Sequence, residues 1–319
     1  MNTDTGFPSE PGSETFLTEG GIETELMYKW GFELPHFAAF PLLEDPKALD
    51  VMRDIYRRCL DVAAAQGLSA MLTGLDYRAS PDWGALLGYS PQGLADANHQ
   101  AIEFLRDVAA EYEGDIETTL VGGIVGPRGD AYQLNRDITA AEAEDYHSVQ
   151  LSTLRQAGVD FACAMTFNNI EEAVGVARAA AGAGVPLVMS LTVDGTSRLK
   201  SGPSLAEAVA AIDEQTDAAP VCYLLNCSHP VEFEPGLETG DWIQRMRGFR
   251  PNASKMEKIA LCQLGHLEEG DPEELGRLMG GLAQRYPHMD IWGGCCGTGH
   301  VHLEEIARNV RQAREATQA

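Results

Sequence analysis

Three cysteines occupy settings that favour chemistry over packing. Cys295 and Cys296 are adjacent in the segment "GGCCGT", and Cys227 lies in "LNCSHP". Neighbouring side chains of an extended strand point to opposite faces, so the pair can face one point only where the backbone bends, and the flanking glycines permit that bend. Three thiolates leave one position of a tetrahedral Zn²⁺ ion open, as in catalytic zinc sites. That position could bind a substrate sulfur, because zinc lowers the pKa of a bound thiol and the thiolate is the nucleophile.

Other interpretations of these cysteines stay open on the residues alone. The doublet could be a vicinal disulfide or redox pair, or two unrelated buried thiols. His229 and His266 could serve as ligands, but the "CSH" spacing is not itself a metal motif, and we expect both to be polar loop residues or donors to a ligand. Cys59 and Cys163 fall within helix and strand patterns, which predicts buried core positions.

The composition limits the class of protein that this chain can be and the partners that it can bind. The chain has 319 residues and a formal net charge of -25. This charge repels phosphate backbones and anionic lipid surfaces, so neither nucleic acid nor a membrane is expected as a partner. No apolar run approaches the ~20 residues of a membrane span, and the polar start does not resemble a secretory signal. Seven scattered cysteines do not form a secreted disulfide framework, so we predict a cytoplasmic protein.

The elements that must position the cysteines follow a regular alternation. Short apolar segments and helical patterns alternate about eight times, which predicts an α/β protein with a single (β/α)₈ TIM barrel. An open doubly wound sheet is the alternative, but no GxGxxG follows the first strand. We expect residues 1–14 to be a flexible tail and residues 15–319 to be the barrel, with a long loop after strand 6. The predicted strands begin at Thr15, Ser69, Glu117, Asp160, Pro186, Val221, Lys258 and Met289.

In such a barrel the active site lies where the strands end. The sixth and eighth strands lie close around a closed ring, so Cys227 can reach the cysteine doublet. Gln263 would end the seventh strand. The candidate substrate-binding residues, which follow the first, second, fourth and sixth predicted strands, are Glu19, Gly20, Gly21, Thr73, Asp76, Tyr77, Thr166 and Asn226.

The segments "TEGGIETEL", "LNCSHP" and "WGGCCGT" resemble signature segments of the homocysteine S-methyltransferase family, and the similarity extends over most of the chain. The resemblance implies a (β/α)₈ barrel that holds zinc through Cys227, Cys295 and Cys296. It also implies transfer of a methyl group to a zinc-bound homocysteine thiolate from a sulfonium, quaternary ammonium or methylcobalamin donor.

A cationic methyl donor would suit an aromatic surface, because the face of an aromatic ring attracts a cation. Tyr77 matches an aromatic position of the family. Trp83, Phe167 and Tyr132 are further candidates for this contact, and packing within loops is the alternative role for these three residues.

The chain departs from the family pattern at two positions that bear on the acceptor. Glu19 stands where the family usually has Asp, and Met165 stands where the family commonly has a Glu that contacts the amino group of homocysteine. A desolvated ammonium without an acceptor costs several kcal/mol. Glu19, Glu23 or Asp76 must therefore supply the charge, or the acceptor is a different thiol. Arg78 adds a charge that could bind a substrate carboxylate or form a surface salt bridge.

These observations lead to one hypothesis and its alternatives. We expect a zinc-dependent methyltransferase with Zn²⁺ as cofactor and homocysteine as acceptor, giving methionine. A different thiol or selenol acceptor is one alternative, and a non-catalytic barrel that binds thiols or metal is another. S-adenosylmethionine, S-methylmethionine and betaine-type molecules all fit as donors. A homo-oligomer is compatible with the sequence, which specifies no oligomeric state.

Overall fold

The eight strands of this protein pair in chain order and close into a parallel barrel. The structure is a computed structural model that describes residues 7, 8, 10–135, 137–237 and 239–318. Strand β8 pairs with both β7 and β1, which closes the ring and confirms the predicted (β/α)₈ barrel. The strands are β1 (Phe16–Thr18), β2 (Ser69–Leu72), β3 (Thr119–Val125), β4 (Phe161–Phe167), β5 (Leu187–Leu191), β6 (Pro220–Asn226), β7 (Met246–Arg250) and β8 (Ile291–Trp292).

Several helices begin at local signals that the sequence carries. The side chain of Asp45 accepts hydrogen bonds from the first turn of α2, and Thr139 and Glu142 form a capping box at the start of α5. The helices are α1 (Ile22–Tyr28), α2 (Pro46–Gln66), α3 (Pro81–Leu86), α4 (Pro91–Ala110), α5 (Ala140–Ala157), α6 (Ile170–Ala183), α7 (Leu205–Thr216), α8 (Pro230–Phe233), α9 (Lys258–Gln263), α10 (Pro272–Arg285) and α11 (His300–Gln318). None of the helices in these ranges is long and apolar enough to cross a membrane.

Part of the segment expected to be a flexible tail packs into the barrel. Phe7 is buried among the interior side chains of the strands, and its ring centroid lies 5.9 Å from that of Phe161. The guanidinium of Arg247 lies 5.3 Å from the centroid of Phe7 and donates a 2.6 Å hydrogen bond to the carbonyl of Pro8. These residues therefore cover the N-terminal end of the barrel, contrary to the expectation. The division of the chain at Thr15 stays a prediction.

The predicted position of the seventh strand was wrong. The segment from Lys258 forms α9, so Gln263 ends a helix, and the strand is Met246–Arg250 with the sequence MRGFR. Both arginines of this strand are buried, Arg247 against Asp290 and Arg250 against Glu19. A strand whose charges are buried by distant partners looks polar in the sequence, whereas the apolar run of α9 resembles a strand. The long loop predicted after the sixth strand contains α8, but β7 lies within the segment 231–254 that was expected to form this loop.

Candidate active site

Three cysteine sulfurs converge at the C-terminal end of the barrel. Cys227 directly follows β6, and Cys295 and Cys296 follow β8 after two glycines. Their Sγ atoms all lie within 4.8 Å of one another. The Sγ atoms of Cys227 and Cys295 are in contact, with their Cα atoms 5.5 Å apart. The structure therefore brings together the three residues that the sequence suggested as ligands.

The chemistry of this donor set fits zinc. Thiolates are ligands that zinc binds well, and three of them leave one tetrahedral position for another ligand. As thiolates, Cys227, Cys295 and Cys296 would supply all three of these ligands. No second group of three or more His, Cys, Asp or Glu side chains is similarly arranged in the described part of the chain, so this cluster is the candidate metal centre.

Backbone and side-chain hydrogen bonds hold the cysteine doublet from several directions. The amide of Cys295 donates to the carbonyl of Pro251 at 2.8 Å, and the carbonyl of Cys296 accepts from the amide of Ala253 at 3.0 Å. The hydroxyl of Thr298 donates to the carbonyl of Cys295 at 2.6 Å. Gly297 has a φ of 79°, a left-handed conformation that residues with a Cβ rarely adopt. The doublet is therefore fixed by the surrounding loops as well as by its strand.

Two strand ends at the site have unusual backbone conformations. Cys227 has a φ of 51° and Thr166 a φ of 71°, values that are uncommon for residues other than glycine. The amide of Cys227 donates to the carbonyl of Arg250 at 3.1 Å, and its carbonyl accepts a 3.2 Å hydrogen bond from Asn252 Nδ2. Such conformations persist where neighbouring contacts enforce them, and they cluster at functional sites.

Asn226, the last residue of β6, connects the neighbouring strands to the cysteine cluster through its side-chain amide. Its Oδ1 accepts hydrogen bonds from the Thr166 amide at 3.0 Å and from Ser190 Oγ at 2.7 Å. Its Nδ2 donates to Thr166 Oγ1 at 2.8 Å and lies 3.9 Å from Cys295 Sγ. The side chain is fully buried. Asn226, which we predicted to bind substrate, therefore orients Thr166 and one sulfur.

The carboxylate of Glu19 is already neutralised by neighbours. Arg250 Nη2 donates to Glu19 Oε1 at 2.5 Å, and Thr73 donates to both carboxylate oxygens, through Oγ1 at 2.6 Å and through its amide at 3.0 Å. Arg250 Nε also donates to the carbonyl of Gly294 at 3.2 Å. This buried network links the ends of β1, β2, β7 and β8. Arg250 was not among the predicted site residues, because β7 was predicted at a different segment.

A cavity of about 280 Å³ opens beside the three sulfurs. Of the residues predicted to bind substrate, Thr73, Asp76 and Asn226 do not line it. Those that do line it, together with the three cysteines, are Glu19, Gly20, Gly21, Tyr77 and Thr166. A small molecule bound in this cavity would therefore contact the sulfurs, the glycines after β1 and the end of β4.

Several aromatic side chains also line this cavity. Tyr77 and Tyr132 do so as the sequence suggested, and Tyr28 and Phe37 are additional members that the sequence analysis missed. Trp83 instead stacks on the guanidinium of Arg78, and Phe167 is fully buried in the core. Tyr28 and Phe37 belong to the segment after β1, where no strand-end pattern marked them.

Asp76 lies beside the site but not in it. The side chain is fully buried, and its Oδ1 accepts a 3.0 Å hydrogen bond from the amide of Ile124. Its Oδ2 has no hydrogen-bond partner within the described ranges. Burial raises the pKa of Asp76 to about 7, and the carboxylates of Glu23 and Glu19 add to this rise. Asp76 was predicted to bind substrate, but its contacts assign it to the structure beneath the site.

Arg78 ties two loops together. Its guanidinium carbon lies 4.9 Å from the ring centroid of Tyr77 and 4.4 Å from that of Trp83, and Nη1 donates to the carbonyl of Gly129 at 2.6 Å. In the described part of the chain it pairs with no carboxylate, so the predicted surface salt bridge is not formed.

The remaining histidines and cysteines of the sequence analysis lie outside the cluster. His229 Nδ1 accepts a 3.3 Å hydrogen bond from the amide of Val231 at the start of α8, and burial lowers its pKa to about 4. His266 lines the cavity but is exposed. Cys59 and Cys163 are buried and free, and burial raises the pKa of each thiol to about 12. Their predicted role as core residues is confirmed.

The fold and the site together define a (β/α)₈ barrel with a thiol-rich candidate metal centre at its C-terminal end. The sequence model of the homocysteine S-methyltransferase family matches residues 16–310. The chain therefore belongs to this family, and we assign it as a methyltransferase of that class.

Solved structures support the same fold. The metallated form of the homocysteine methyltransferase MmuM from Escherichia coli is 19% identical, with a TM-score of 0.70 over 92% of this chain and 96% of that protein. The oxidized form of MmuM is also 19% identical, with a TM-score of 0.71 over 95% of this chain and 97% of that protein. At this level of identity the similarity shows a shared fold.

Proposed function

We propose that this protein is a zinc-dependent methyltransferase that methylates homocysteine, using a sulfonium or betaine-type donor. The observation that carries the proposal is the convergence of Cys227, Cys295 and Cys296 beside a cavity in a member of the homocysteine S-methyltransferase family. Zinc bound by three thiolates can take a fourth sulfur ligand and lower the pKa of that thiol, so that the acceptor is a thiolate at neutral pH.

The residues around the cysteines would prepare the two reactants. In the reaction a bond forms between the acceptor sulfur and the methyl carbon, while the bond from that carbon to the donor's sulfur or nitrogen breaks and its electron pair stays on the donor. A cavity that holds both reactants in line supplies much of the rate enhancement. Tyr28, Phe37, Tyr77 and Tyr132 line this cavity, and aromatic faces stabilise a cationic donor.

The proposal is tested by zinc content and product formation in one set of proteins. Reduced wild-type protein and the variants Cys296→Ala and Cys59→Ala are loaded with zinc, dialysed and analysed for bound metal. Each protein is then mixed with homocysteine and a panel of sulfonium and betaine-type donors, and methionine is detected by mass spectrometry. We expect one zinc ion per chain and methionine formation in the wild type and in C59A, which changes a buried helix residue. C296A should lose both.

Two results would contradict the proposal. Retention of zinc and of wild-type turnover by C296A would mean that the ligands are misassigned. Zinc binding by the wild type without a methylated product from any donor would favour a non-catalytic barrel. The absence of nucleic-acid and membrane partners, expected from the net charge of -25, and the cytoplasmic location, expected from the scattered cysteines, stay predictions.

A further inference from the structure

The carboxylates that line the cavity differ in whether other residues already bind them through hydrogen bonds or ion pairs. Among the described residues they are Glu19, Glu23, Asp130 and Glu268. Glu19 is engaged by Arg250 and Thr73. Asp130 is exposed, and its Oδ1 accepts hydrogen bonds from two amides of its own turn. This leaves Glu23 and Glu268 as carboxylates that could bind a cationic group in the cavity.

Glu23 is held next to the cysteine doublet by neighbouring residues at the start of α1. A Cβ atom on Gly21 would lie 2.6 Å from the carbonyl oxygen of Cys295, so the two backbones are in close contact there. On the other side of Glu23, the hydroxyl of Thr24 accepts a 3.1 Å hydrogen bond from the amide of Gly297. The residues that flank Glu23 therefore contact the loop that carries Cys295 and Cys296, and its side chain lies in the adjoining cavity.

The carboxylate of Glu23 lacks a partner of its own. Within the described ranges no other residue donates a hydrogen bond to it, and it forms no ion pair. Burial raises its pKa to about 7, although its own amide and the charges of Arg250 and Arg78 oppose the rise. A carboxylate with this pKa is partly ionised at neutral pH, and a cation bound beside it would complete its ionisation.

The last residues of β4, Met165, Thr166 and Phe167, include no acid that could bind an ammonium group in place of Glu23. Met165 lines the same cavity and is almost fully buried, and a thioether is only a weak hydrogen-bond acceptor. In a thiol such as homocysteine, three carbon atoms separate the sulfur from the amino nitrogen. Glu23 lines the same cavity as the cysteine cluster, whereas an ammonium directed towards Met165 would be desolvated without an acceptor.

We propose that Glu23 binds the amino group of the acceptor and thereby selects thiols that carry a nearby ammonium group. This inference rests on the proposed methyl transfer to a thiol. It assigns the preference for an acceptor with an amino group to a residue of α1.

The test compares two acceptors that differ only in the amino group. Steady-state kcat/KM is measured with homocysteine and with 4-mercaptobutanoate, which has the same thiol, chain and carboxylate, at a saturating concentration of one active donor. The proteins are the wild type, Glu23→Gln and Glu304→Gln, the last being a matched change at an exposed position of α11. For E23Q we expect kcat/KM to fall about 10- to 100-fold with homocysteine, the effect of losing a charged hydrogen bond, and less than about threefold with 4-mercaptobutanoate. E304Q should match the wild type with both.

Three outcomes would overturn the assignment. Equal losses with both acceptors would show that Glu23 acts on structure or on the sulfur rather than on the amino group. An unchanged preference for homocysteine in E23Q would show that the ammonium binds elsewhere. An amino-selective loss in Glu268→Gln but not in E23Q would move the role to Glu268. If E23Q does not fold, Glu23→Asp is used, which keeps the charge and should retain part of the preference.

Direct binding separates this inference from the proposed function. Calorimetric titration of the two thiols into zinc-loaded wild type and E23Q measures the amino-group preference without any turnover. If the wild type binds homocysteine more tightly than 4-mercaptobutanoate and E23Q does not, Glu23 has the assigned role even if no donor gives a product. If the wild type turns over but shows no preference at all, methyl transfer stands and the role of Glu23 is wrong.

Discussion

The buried carboxylate of Asp76 should make the stability of this protein depend on pH in a way that one substitution removes. Its pKa is raised from an ordinary value of 3.8 to about 7, chiefly by burial. Between these values the folded protein keeps a proton that the unfolded chain releases, so the free energy of unfolding falls as the pH rises. The loss begins near the unfolded pKa and is complete once the pH has passed the folded pKa.

The size of the effect follows from that interval. One pH unit corresponds to about 1.4 kcal/mol for a group that is protonated in only one state. From about pH 5 to pH 8, Asp76 should therefore remove roughly 3 kcal/mol from the free energy of unfolding. Asp76→Asn cannot ionise, and its Oδ1 can still accept the hydrogen bond from the amide of Ile124. The difference in stability between D76N and the wild type should thus shift by roughly 3 kcal/mol in favour of the variant over this range.

The assay is urea denaturation of both proteins at several pH values, with reductant and a chelator present so that metal binding does not contribute. Asp107→Asn, at an exposed position of α4, is the control and should follow the wild-type profile. Profiles for D76N and the wild type that run parallel from pH 5 to pH 8 would refute the reasoning, because they would show that Asp76 ionises at the same pH in both states.

Two further predictions concern the site. Arg250→Gln leaves Glu19 buried without its counter-charge and should lower the free energy of unfolding by about 3–5 kcal/mol. The double variant Arg250→Gln with Glu19→Gln should recover part of this loss. Equal stability of R250Q and wild type in urea denaturation would contradict the assigned ion pair. Phe37→Leu removes an aromatic face from the cavity and should raise the KM of a cationic donor about 3- to 10-fold, while the KM of homocysteine changes little. Equal changes in both KM values would mean that the ring has no particular role in donor binding.

The sequence was sufficient where the determining signals are local. Asp45 and Thr139 cap the first turns of their own helices, so the starts of α2 and α5 are encoded by nearby residues. The cysteine cluster was also accessible, because in a closed barrel the ends of the sixth and eighth strands must lie close together. Cys227 and the doublet could therefore be placed side by side without knowledge of any contact between them.

What the sequence did not reveal depends on pairs that are distant along the chain. Arg250 and Glu19 are 231 residues apart, and only their contact makes a strand with two buried arginines stable. Arginine is mostly exposed in proteins, so a segment with two arginines does not resemble a buried strand, and both β7 and the ion pair of Glu19 were missed. Phe7 was missed for a related reason, since one aromatic residue in a polar segment gives no sign of the barrel interior into which it packs.

The same distant pairing explains why Glu19 and Glu23 should have different roles although both line the cavity. Arg250 binds Glu19 and also the carbonyl of Gly294, so the charge of Glu19 is used to hold the strand end that leads to the cysteine doublet. Glu23 has no such partner and keeps its capacity to bind a ligand. A carboxylate that is already paired gains little from a second cation, whereas a cation bound beside an unpaired one stabilises its ionised form. Because Arg250 on β7 pairs with Glu19, Glu19 has a structural role and Glu23 is available to bind substrate.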